Sequence, residues 1–341
     1  MGGEFMLERL KTLSELPGVS GRENAVRRFI REESGKMGLK AEIDAMGNVT
    51  VHKEGKGRRV LLCAHMDEKG FLAAGISSDG LISCRNNDVD PRVVVSKRVQ
   101  VGPQRIAGVI GAKAFHLQSK ADRETVTGHE NLYVDIGAKD KASAEAKVRI
   151  GDGIAFATGF GPFGDGLVKG KALEGRAGCA ILLDLLQESY DCDLYAVFTS
   201  MAHIGRRGAQ AAAWNVAPDL VISIEAAEAG EPADPQRQKK GIGLGSGPVL
   251  CTADSVGIPS ESLLAALENS ASGPIQRAVL RTGSDALTIA TAFSGCFGAA
   301  VALPCRRMYT PCEIVSEEDL RALRGMLHNF FQERRFDEVK I

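Results

Sequence analysis

Aromatic side chains are scarce in this 341-residue chain, at 5% with a single Trp and four Tyr. That leaves little material for a stacked platform under a polysaccharide. Charge of one sign is missing too: 42 Lys and Arg stand against 43 Asp and Glu, so the balance points to neither nucleic acid nor an anionic membrane surface. No apolar run approaches the roughly 18 residues of a spanning helix. The opening MGGEFMLERLKTLSEL is amphipathic and lacks the apolar stretch of a secretory signal; residues 1–5 read as a cloning remnant before a natural Met6. The eight cysteines include no C-x-x-C pair, and several sit in apolar runs such as LLCAH and AGCAILL. Buried reduced thiols and a cytoplasmic setting are expected, and a cysteine metal site is not.

What is present is an ordinary globular composition, 44% hydrophobic and 25% charged, over a length that suggests about two domains. The first helix is expected at about 6–16. Ser20 and Glu23 fit a capping box ahead of a second helix. RRVLLCAH reads as a buried strand. From about 70 to 165 the texture changes to short pieces rich in Val, Ile and Gly, punctuated by turn residues, as in a small β-barrel or sandwich. After 170, helices are expected at 176–189, 206–214, 259–271, 284–293 and 316–334, the last opened by Ser316, with strands at 193–199, 219–225 and 297–303. The reading is α/β: one discontinuous domain, 1–69 plus 166–341, interrupted by a β-rich insert at 70–165.

LLCAHMDEKGF ends the buried strand with His65 and Asp67. An H-x-D pair offers an imidazole ligand and a carboxylate that fixes its orientation. Alone the signal is weak. It occurs, however, in order and at suitable spacing with KALEGRAGCAILL, FTSMAHIGRRGA, DLVISIEA, TGSDA and PCRRMYTPCEIVSEEDL. With these segments the chain resembles, over nearly its full length, the glutamyl and tetrahedral aminopeptidases of metallopeptidase family forty-two, some members of which were described as cellulases.

The resemblance implies a phosphorylase/hydrolase-like catalytic domain with an inserted small β-barrel that helps subunits assemble into homo-oligomers. It also implies a dinuclear metal site, with a bridging Asp, a His and a further carboxylate on each ion, and a Glu as general base. Carried over position by position, His65 and Asp67 stand unchanged. Glu174 replaces the bridging Asp, with Arg176 kept. The base and its neighbouring Glu ligand align with Ala202 and His203, the next ligand Asp with Glu225, and the last His with Tyr309. One of five ligands is unchanged, and the base is a methyl group.

His65, Glu174 and Glu225 remain as a single-ion set, which His203 either joins or leaves for solvent. Zinc or cobalt is implied, one ion rather than two, or none. Tyr309, Arg176, Ser284 and Asp285 are expected to line the pocket, and Glu68 and Glu228 are fallback bases. Lys69, Arg206 and Arg307 bring positive charge that would oppose a cation. Standard dinuclear catalysis is therefore expected to be impaired or absent, leaving a silent relative that binds peptides or a small ligand. The alternative is an active metal-dependent aminopeptidase with a rebuilt site. A glycosidase using Glu174 and Glu225 would need paired acids across a cleft, and lacks the aromatic platform.

Overall fold

The structure, a computed structural model, describes residues 2–86, 89–230 and 241–340. A large mixed sheet forms its backbone, in the order Ala41–Ile43, Val49–Lys53, Asp193–Thr199, Arg59–His65, Leu220–Glu228, Phe297–Arg306, Glu313–Ser316, Leu167–Gly170 and Gly161–Pro162. Val249–Ala253 and Gln276–Val279 branch from the Phe297–Arg306 strand. Its centre is parallel: Asp193–Thr199, Arg59–His65, Leu220–Glu228 and Phe297–Arg306 run the same way. Such strands are covered on both faces, so they read as unbroken apolar runs, as RVLLCAH does.

The helix Leu173–Leu185 is buried along its whole length, between the sheet, Gly2–Glu15 and Glu317–Gln332. It lies close because Gly178 bears no side chain: a Cβ there would meet the Ala64 Cβ at 2.7 Å and the Ile224 carbonyl at 3.0 Å. Ser316 caps the last helix by accepting the Glu318 and Asp319 N–H groups, as expected.

Six antiparallel strands between Phe71 and Phe156 close into a barrel with its own core, including Phe71, Ile82, Val99, Val101, Val134 and Phe156. Buried Val99 and Val101 alternate with Arg98 and Gln100 in the manner of a strand with one dry face. Gly161–Pro162, inside the β-rich stretch of the sequence, pairs instead with the large sheet.

Some local expectations shift. The first helix begins at Gly2, and the helix expected at 176–189 runs Leu173–Leu185. The Ser20–Glu23 capping box does not form. Glu23 stands at the N-cap of Asn24–Lys36 without a capping bond, because its carboxylate accepts from the Gly21 and Met201 N–H groups and from Arg27. Ser20 donates to Asp67 instead. All eight cysteines are free, six of them buried. Among the described residues, no helix is long and apolar enough to cross a membrane.

Candidate metal centre and active site

The parallel strands deliver their C-terminal ends to one place, where open α/β sheets put their chemistry. His65 ends the central strand. Glu174 is the second residue of the buried helix, and Glu225 lies in the neighbouring strand. Ala202–Ile204 forms a 3-10 turn after Asp193–Thr199, and Tyr309 follows Phe297–Arg306. Five non-glycine residues here adopt left-handed backbone: Ala172, Met201, Arg206, Arg307 and Tyr309. Such conformations cost of order 1–2 kcal/mol each and concentrate where position matters more than comfort.

Glu174 is the hub. Its Oε2 lies 3.0 Å from His65 Nε2 and its Oε1 lies 2.9 Å from His203 Nε2. The His65 ring rests over Gly175, where a Cβ would come within 2.3 Å of it. Asp67, fully buried, sits behind both histidines. It accepts from the Ala202 and His203 N–H groups at 2.9 and 3.1 Å and from the Ser20 hydroxyl at 2.6 Å, and its Oδ1 lies 3.4 Å from His65 Nδ1. Asp67 thus orients an imidazole and pins the turn that carries the other.

Burial disfavours charge on His65, Asp67 and Glu174, but specific partners overrule it at all three. The charge on Glu174, with bonds to Asp67 and Glu174, holds the His65 pKa well above the usual value. His203 and His65 drive the Glu174 and Asp67 carboxyls well below theirs. Glu225 goes the other way: burial and then the Asp285 charge push it up to about 7. Burial also raises Asp285, and burial followed by the Glu174 charge raises Glu313 and the Tyr309 phenol.

A cavity of about 240 Å³ opens on this cluster, lined by His65, Glu174, His203 and Glu225, with Ala202 at the base position and Tyr309 across it. Lys69 and Arg206 also line it, the Lys69 ammonium 5.0 Å from the Tyr309 ring centroid. Arg307 does not. Asp285 lines the cavity, and its N–H donates to Glu225 at 2.8 Å. Ser284 instead caps the helix that Asp285 opens. Arg176 is buried away from the cavity against Leu13 O. Glu68 is tied to Lys171 at 2.7 Å, and Glu228 lines a neighbouring cavity. Sequence reasoning missed Glu313, which accepts from the Glu174 and Tyr309 N–H groups. An acid inside the buried strand segment EIVS was the available signal.

Among the described residues, one group of three offers ligand atoms all within 4.8 Å of one another: His65, Glu174 and His203. Two imidazole nitrogens and a carboxylate with a cavity in front suit a zinc-like ion that keeps an open position. The expected trio His65, Glu174 and Glu225 does not converge in that way. His203, the conditional member of the expected set, is part of the converging group, and Glu225 is not.

A mixed sheet interrupted by a closed barrel thus carries a histidine–carboxylate cluster at its parallel strand ends. A model of the M42 glutamyl aminopeptidase family matches residues 47–326, and the chain belongs to that family. It is similar to the protein FrvX of Escherichia coli (strain K12), 30% identical over 338 residues, 95% of this chain and 94% of that one. The TET aminopeptidase of a marine sediment archaeon (Thaumarchaeota archaeon SCGC AB-539-E09) superposes with a TM-score of 0.92 at 26% identity, over 98% of both chains. The Pyrococcus horikoshii TET1 peptidase, described as assembling into a tetrahedron or a large octahedral shell, does so with 0.86 at 28% identity, over 96% of this chain and 99% of that one.

Proposed function

We propose that this chain is a metallo-aminopeptidase relative that holds one ion rather than two, on His65, Glu174 and His203, and whose standard dinuclear peptidase reaction is impaired. The observation that carries this reading is the convergence of those three side chains beside a methyl group, Ala202, where a base is required. When bound, the ion would polarise a carbonyl and acidify water. Glu174 spends both oxygens on imidazoles, Asp67 fixes the turn bearing His203, and Tyr309 fills the position of the family's last His ligand. Glu225, pushed up to about 7 beside Asp285, is a cavity acid able to exchange a proton near neutrality, in support of a weak residual activity. Peptide N-termini are the proposed ligands, in a homo-oligomer built through the 70–165 insert, as the assemblies of TET relatives suggest.

Elemental mass spectrometry on protein dialysed after loading with zinc or cobalt should find about one ion per chain, and a panel of aminoacyl chromogenic substrates should be turned over slowly or not at all. Ala202→Glu should then raise cleavage by the 10²–10⁴-fold a positioned base supplies. Two retained ions with fast cleavage by the unaltered protein would overturn the reading.

A further inference from the structure

A second cavity, of about 290 Å³, lies at the junction of the α/β domain and the barrel. One wall is Pro17–Val19 with the start of the Asn24–Lys36 helix; the other is the barrel turn Gly102–Pro103 with Arg105 and the Asp152–Gly153 segment. Three arginines line it, Arg22, Arg28 and Arg105, against one carboxylate, Asp152. That carboxylate is already engaged by the Arg149 N–H at 2.8 Å. Arg22 is held in place by carbonyls, its Nε on Gly151 O and its Nη1 on Gly21 O, both at 2.9 Å, and so spans the two domains without neutralisation. No salt bridge joins Arg28 or Arg105 to an acid among the described residues.

Beneath the lining residues two cations face one acid. Behind Gly18 lie Lys171 and Arg176, both buried, sharing one acid, Glu68, and Arg176 Nε and Nη2 find no hydrogen-bond acceptor. Burial and the nearby Arg176 and Arg105 charges bring the Lys171 ammonium down to about 8 despite Glu68.

We propose that this junction cavity is an anion site, taking a compact oxyanion, phosphate or carboxylate, between Arg22, Arg28 and Arg105. The bound anion would staple the barrel to the α/β domain, since arginines from both meet it. None of its lining residues lines the cavity over the His65, Glu174 and His203 cluster, so the two sites are separate.

Calorimetric titration of metal-free protein with inorganic phosphate, and separately with succinate, at low ionic strength tests this. Saturable binding of at least one probe is expected, weakened tenfold or more in Arg28→Ala/Arg105→Ala and partly restored in Arg28→Lys/Arg105→Lys, with the unliganded melting temperature little changed. The probe that binds tighter identifies the source chemistry. Absence of saturable binding, or equal affinity in the Ala variant, overturns the proposal. Neither result depends on metal content or peptidase activity.

Discussion

Each oxygen of Glu174 faces a different imidazole, so the metal reading can be tested one side chain at a time. Glu174→Ala and His203→Ala should weaken zinc retention at least tenfold in a competition dialysis, while Glu225→Ala should leave it within a few-fold. Loss in all three would place Glu225 among the ligands. Glu225 has its own signature in metal-free protein. Its folded pKa of about 7 exceeds the unfolded value near 4.3, so between those limits the folded state holds more protons. Its contribution is complete below about pH 4 and is lost as pH rises through 7. Urea unfolding should show that decline, and Glu225→Gln should flatten it. His65 and Asp67 were legible in the sequence because strand end and H-x-D spacing coincide. His203 was named there only as a member that joins or leaves the set; that its ring meets Glu174 was not legible, since a turn pinned by buried Asp67 decides where that imidazole points.

The helix Leu173–Leu185 ties fold to site. Gly175 in its first turn would ordinarily gain helix stability on conversion to Ala, by about 1 kcal/mol. Here the added methyl would meet the His65 ring at 2.3–2.8 Å. Gly175→Ala should therefore reverse that sign, destabilising by about 1–3 kcal/mol in thermal or urea unfolding and weakening metal retention with it. Most elements were readable from period and caps, Ser316 being the plainest case. Ser20 and Glu23 show the limit. Their spacing satisfies a capping box, yet both side chains are drawn to partners distant in sequence, Asp67 and Met201. Local patterns contain no record of such tertiary competition. Likewise Gly161–Pro162 has the texture of the barrel, but its pairing with Leu167–Gly170 takes it to the large sheet.

At the scale of the whole molecule, the chain enters the barrel at Phe71 and leaves it beside Ile154, and these two residues are paired on adjacent antiparallel strands. Replacing residues 71–156 by a short Gly/Ser linker should therefore leave a folded α/β domain. If the barrel mediates assembly, native mass spectrometry will find the full chain oligomeric and the excised one monomeric. An oligomer that survives excision would assign the contacts to the α/β domain.

The sheet order also sets a schedule for folding. The strand Arg59–His65 lies between Asp193–Thr199 and Leu220–Glu228, partners made more than a hundred residues later. During synthesis the barrel has all its strands once residue 156 has emerged, while RVLLCAH still waits for both neighbours. An apolar strand left unpaired that long is exposed to association with other chains, and non-local pairing of this kind is slow. Folding of this protein should therefore proceed in two stages, the barrel first and the sheet that carries His65 last.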